Sequence, residues 1–219
     1  MYKYKLLLVF LFAMAVFSRV NANISELPLL GKIIYLDAGH GGKDPGAYYK
    51  DIYEEDINLK IVLKLKEKIE GKGGTVLLTR DSDYDLSNKG VKRRKKSDLY
   101  NRANLIDNSN CDMYISIHLN SSIHTNWKGA QVFYDDINED NEKIAEIFQK
   151  NFNKKLNSDK KIKEMTTLYM YKSIKKPGVL LEVGFISNPY ERAKLITDEY
   201  QYKIVDTIIS SLTEIFNYM

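Results

Sequence analysis

At 219 residues, 44% of them hydrophobic, the chain can bury one sizeable core but not two full domains and a linker. Charged residues at 28% and aromatic ones at 11% exclude a disordered or fibrous class. The formal charge of +4 falls to about +1 when the three cations of residues 1–22 are set aside, too little for general attraction to nucleic acid.

The chain begins with Lys3 and Lys5 ahead of an unbroken apolar run of twelve residues, Leu6 to Phe17. A membrane-spanning helix needs about 20. Val20-Asn21-Ala22 then presents small or aliphatic side chains where a signal peptidase inspects them. Residues 1–22 therefore read as an export signal, and cleavage after Ala22 leaves 197 residues. The single cysteine, Cys111, excludes an intramolecular disulfide, and its distance from the leader excludes lipid attachment there.

After residue 31 apolar runs alternate with helical patterns. Lys32–Asp37 reads as a buried strand that stops at a glycine-rich turn, and Tyr53–Glu70 as a helix with Ile57, Ile61, Leu65 and Ile69 on one face. Gly71, Gly73 and Gly74 end that helix, and Thr75–Thr79 is the second strand. A polar loop covers Asp81–Lys96, with Ser97 placed to cap a helix running to about Asp107. Asp112–Ile117 and Ala130–Tyr134 read as strands, Glu139–Leu156 as an amphipathic helix. Leu168–Tyr171 and Gly178–Val183 read as two more strands before a final helix from about Glu199 to Phe216. The alternation predicts one α/β domain over residues 31–219: a mixed, twisted sheet of about six strands with helices on both faces.

Three polar residues occupy costly places. His40 follows the first strand directly, His118 ends the third, and Glu182 interrupts the apolar run Val179-Leu180-Leu181-Glu182-Val183. A buried carboxylate without a partner costs several kcal/mol, so Glu182 needs a cation or a task. Strand ends at the edge of an open α/β sheet are where such folds place their sites. Two histidines and a carboxylate with one position left open form the ligand set of a catalytic zinc. Pairing with an arginine is the structural alternative for Glu182, and ordinary core packing the alternative for each histidine.

The segments LDAGHGGKDPGA (36–47), YEEDINLKI (53–61), LLTR (77–80), RANLI (102–106), YISIHLNSS (114–122), KGAQVFY (128–134) and VLLEVGFISNPYE (179–191) carry a family resemblance. In order and spacing, residues 32–217 resemble the zinc-dependent N-acetylmuramoyl-L-alanine amidases of the amidase-3 type. The resemblance implies one zinc ion per chain, held by His40, Glu54 and His118, with Glu182 as the catalytic carboxylate. Glu54 is the first acid of Glu54-Glu55-Asp56-Ile57, the family's Glu-x-Asp-apolar run; Glu55 and Asp56 then serve as favourable helix N-terminal charge. Glu182 would take a proton from the attacking water and return it to the leaving L-alanine nitrogen. His124 falls in a loop where the family has no fixed histidine, and neither HExxH nor His-x-His is present.

The substrate implied is peptidoglycan, its glycan and stem peptides, and the place of action is the cell wall or spore cortex outside the cytoplasmic membrane. Within the family the chain looks most like the germination-specific spore-cortex amidases, and a separate activator is the expected control. A zinc peptidase acting within the stem peptide and a non-catalytic wall binder are the alternatives. Arg80 and Arg102 are candidates for substrate carboxylates or for structural pairing, with the structural role favoured. Asn120 is a candidate substrate contact, and Trp127 could stack on a sugar face. The six cations Lys89, Lys92, Arg93, Arg94, Lys95 and Lys96 form either a solvated loop or a docking surface.

Overall fold

The computed structural model describes residues 26–165 and 170–218, so the leader over residues 1–22 lies outside the described residues. Ile33–Ala38 (β1) is hydrogen-bonded in parallel to Thr75–Leu78 (β4) on one side and to Met113–Asn120 (β5) on the other. Gly178–Phe185 (β8) continues the sheet parallel to β5, and Gln131–Tyr134 (β6) joins β8 antiparallel. Lys163–Glu164 (β7) completes a six-stranded sheet in the order β4-β1-β5-β8-β6-β7. A small hairpin, Tyr48–Tyr49 (β2) with Ile52–Tyr53 (β3), follows β1.

Period-two alternation divides the central strands between two layers. Ile34, Leu36, Ile115, Ile117 and Leu181 face one layer, packed against Glu54–Gly71 (α1), Asn141–Leu156 (α3) and Asp198–Tyr218 (α5). Tyr35, Tyr114 and Leu180 face the other, where Ala103 and Ile106 of Arg94–Asp107 (α2) cover them. Each fully buried Leu or Ile contributes about 1.5–3 kcal/mol. Buried on both faces, the parallel strands need the near-continuous apolar runs that marked them in the sequence.

Three features depart from the sequence prediction. First, α2 starts at Arg94, inside the supposed loop, and Ser97 is not its cap. The Ser97 amide donates to Arg93 O at 3.0 Å, as an interior residue does, and its hydroxyl accepts from the Asn88 amide at 3.1 Å. Second, half of the predicted strand Leu168–Tyr171 lies outside the described residues, and Tyr171–Ser173 is a 3-10 turn. The sixth strand is β7 instead. Third, the β2–β3 hairpin and the short helix Pro189–Leu195 (α4) have no counterpart in that reading.

Candidate metal centre

The site lies at the carboxyl ends of β1, β5 and β8, beside the first turn of α1. His40, two residues past β1, adopts a left-handed backbone at φ +64°, where histidine is found more often than most side chains. Gly39 before it must be glycine, because a Cβ there would stand 2.2 Å from Cε1 of His118. His118 on β5 is in register with Glu182 on β8, and Glu182 in turn faces Gln131 on β6. Glu54 is the first residue of α1.

These positions converge. Glu54 Oε1 lies 3.2 Å from His40 Nε2 and 3.1 Å from His118 Nδ1. One ligand atom from each of the three residues falls within 4.8 Å of the others, a group that could hold a metal ion. Glu54 is further fixed by the amides of Leu119 on Oε1 at 3.0 Å and Ala47 on Oε2 at 2.8 Å. The outward nitrogen of His40, Nδ1, lies 3.1 Å from Asp44 Oδ2, which orients the ring.

Electrostatics separate the two glutamates. Burial alone would raise Glu54, but hydrogen bonds and attraction from His118 and His40 hold it well below the usual carboxylate range. Burial would likewise depress His40, yet Glu54 and then Asp44 turn the net shift upward. Glu182 goes the other way: burial first, then the Glu54 charge, push its carboxyl up to about 8. Its Oε2 is buried with no hydrogen-bond partner among the described residues. Arginine pairing, the structural alternative for Glu182, is not what the side chain does. Glu55 stands outside the group; burial and neighbouring Asp83 push it up to about 7.

Both arginines make structural pairings, the role favoured for them, and neither offers its guanidinium as the substrate contact, the other candidate role. Each is 1% exposed. Arg80 donates to the carbonyls of Ala38, Gly39, Glu55 and Ser82. Arg102 pairs with Asp37 at 2.8 Å and Asp98 at 2.9 Å, and donates to Ala38 O and His40 O. Asp37 also accepts from Thr79 and Ser116, so one buried network braces the loop that carries His40.

Asn120 ends β5 at the site's edge, its carbonyl accepting from the Ile186 amide at 2.9 Å. Trp127 is half exposed on the rim, edge-on to Phe185 with ring centroids 6.4 Å apart. His124 lies against Trp127 at 5.5 Å and takes no part in the metal-binding group. Sequence reasoning missed Asp44 and Asn58. Asn58 is buried one helical turn after Glu54, its amide 3.4 Å from Glu54 Oε1, and that four-residue spacing could have found it.

Residues 34–214 match the amidase-3 family, described as N-acetylmuramoyl-L-alanine amidase. A germination-specific N-acetylmuramoyl-L-alanine amidase of Bacillus subtilis (strain 168) is 39% identical over 215 residues, covering 96% of this chain and 91% of that protein. Among solved structures, the CwlD amidase from Clostridioides difficile, in complex with the GerS lipoprotein, is similar at a TM-score of 0.82 and 38% identity. The match covers 86% of this chain and 100% of that one. The catalytic domain of CwlV, an N-acetylmuramoyl-L-alanine amidase from Bacillus (Paenibacillus) polymyxa var. colistinus, gives 0.74 at 28% identity, over 85% of this chain and 98% of that one. With a metal-ligand group at the strand ends and these matches along nearly the whole domain, the chain belongs to the amidase-3 family of N-acetylmuramoyl-L-alanine amidases.

Proposed function

We propose that the chain is a zinc-dependent amidase that cuts the bond between the lactyl group of N-acetylmuramic acid and the L-alanine of the stem peptide. Its place of action is the spore cortex, where removing stem peptides allows muramic lactam to form. The observation that carries the reading is the convergence of His40, Glu54 and His118 beside Glu182, whose half-buried side chain has one buried, unpartnered oxygen.

The donor set suits one zinc ion. Two imidazoles and a carboxylate meet around one point, with Asp44 orienting His40 and the Leu119 amide fixing Glu54, and among the described residues no fourth side chain joins the group. When bound, zinc supplies Lewis acidity to the amide carbonyl and to water, and a positive charge that draws the Glu182 carboxyl back toward its ionised form. His40, Glu54 and His118 would hold it. Glu182 takes the proton of the attacking water and delivers it to the leaving L-alanine nitrogen.

Mass spectrometry of digested cortex peptidoglycan tests the reading. Free amino-terminal L-alanine and intact muramic acid are expected; new ends inside the stem peptide would identify a peptidase, and no products a binder. Export follows from the leader, and protein recovered outside the cytoplasmic membrane is expected to start at Asn23. A separate regulator is part of the proposal, in keeping with the C. difficile relative solved in complex with a lipoprotein. Purified mature enzyme that binds zinc fully and cuts cortex at full rate unaided would remove the regulator.

A further inference from the structure

The basic segment before α2 has no role in the chemistry above, and its placement is unusual. Arg94, Lys95 and Lys96 occupy the first turn of α2, which contains no acid and no side-chain cap. Cations there oppose the helix dipole, so the dipole gives no reason for that choice. The segment is also ordered rather than loosely solvated. Arg94 pairs with Asp85 at 2.6 Å, the Leu86 amide donates to Asp98 at 2.7 Å, and Asn101 donates to Leu86 O at 2.6 Å. Lys95 Nζ reaches Asp44 Oδ2 at 3.6 Å, and Asp44 is the partner of His40, so the segment forms a shoulder of the metal centre. Lys89, Lys92 and Arg93 are exposed on that shoulder, and none of the ion pairs among the described residues includes them.

The sheet order makes the two sides of the centre chemically different. The basic shoulder lies on the β4–β1 side. On the β8–β6 side Trp127, half exposed, stands against Phe185 at the end of β8, with Lys160 over the Phe185 ring. The bond to be cut joins a peptide bearing free carboxylates to uncharged sugars. The geometry points to an oriented substrate: Lys89, Lys92 and Arg93 take the carboxylates of the stem peptide, so the peptide lies over the β4–β1 side and the glycan over the β8–β6 side. This rests on the amidase reading, which supplies the bond between the two halves.

The test neutralises the shoulder with the triple variant Lys89→Gln, Lys92→Gln, Arg93→Gln. All three side chains are exposed, so the fold is retained, and a thermal melt and zinc content check that. On a defined muropeptide with free carboxylates, KM is expected to rise on the order of tenfold, as removal of three surface cations implies, with kcat within about twofold. A muropeptide with those carboxylates converted to carboxamides should show wild-type KM already raised and unchanged by the variant. An unchanged KM, or an equal loss on both substrates, overturns the assignment; the unchanged KM would leave the cations to an acidic protein partner. Binding of the free stem tripeptide, followed by titration calorimetry, separates the two levels of the claim. Peptide binding that needs the shoulder, without release of amino-terminal L-alanine, sinks the amidase reading and keeps the shoulder. Cleavage with peptide binding indifferent to the variant does the reverse.

Discussion

In the metal-free protein Glu182 links folding to pH. Its folded value, about 8, lies above its ordinary 4.5, so the stabilisation it brings as a neutral acid is complete below 4.5 and is lost as pH rises through 8. In chelator-treated protein, denaturant titrations across that interval should show stability falling for wild type and staying flatter for Glu182→Gln. The same variant should lose turnover on the order of 10²–10⁴-fold while its metal content stays at wild-type level. Retained turnover would remove Glu182 from the mechanism. Asp37 has the opposite sign. Burial opposes its charge, yet Arg102 and Ser116 hold its carboxyl below the ordinary 3.8. Its stabilisation is therefore present above 3.8 and is lost as pH falls through the lower folded value. Arg102→Leu leaves Asp37 and Asp98 buried without their cation and should cost about 3–5 kcal/mol in denaturant unfolding. Arg102→Lys should recover only part of that, since an ammonium cannot reach all four acceptors at once.

Among the elements, α2 gives the sharpest test. Arg93→Asp places an acceptor at an uncapped helix start and an acid at the positive end of the dipole. It should raise stability by about 0.5–1 kcal/mol, read as a higher denaturation midpoint, while weakening carboxylate substrates. The same helix shows where local reading stops. Its uncapped, cationic first turn gives no start signal, so Ser97 looked like the cap; the Arg94–Asp85 pair and the anchoring of Arg102 set the true start. β7 has two residues, both exposed, and exists through its pairing with β6, which carries no sequence pattern. The core strands and α1, by contrast, bury whole faces, and that burial writes the apolar periods directly into the sequence. α4 was legible in principle: the Asn188 side chain accepts from the Tyr190 and Glu191 amides with Pro189 following it, but seven residues are too few for a period to form. In the site, His40, His118 and Glu182 stood out because each is costly where it lies. Glu54 needed the family pattern, because two more acids adjoin it and only the folded chain brings one of the three to the histidines.

For the whole molecule, residues 40, 54 and 118 become neighbours only when β1, α1 and β5 are assembled, so the unfolded chain has no comparable site. On the proposed reading, zinc binding and folding are therefore coupled. Free zinc at a hundred times its dissociation constant should stabilise the protein by about 2.7 kcal/mol. Differential scanning calorimetry should show the midpoint rising with zinc and falling with chelator, and His118→Ala should lose most of that difference. An equal zinc effect in the variant would place the ion elsewhere.

The left-handed backbone at His40 bears on how such a protein can change over generations. A side chain at φ +64° costs about 1 kcal/mol relative to glycine, and here the buried Arg102 holds the carbonyl of that residue in place. While cleavage is under selection, histidine persists against that gradient. His40→Gly would relieve that strain only by giving up the contacts of His40 with Glu54 and Asp44, so the histidine is held by its partners as well as by selection. Position 40 is thus conservative in both directions, since glycine gains backbone freedom only at the loss of a partner for the buried Glu54.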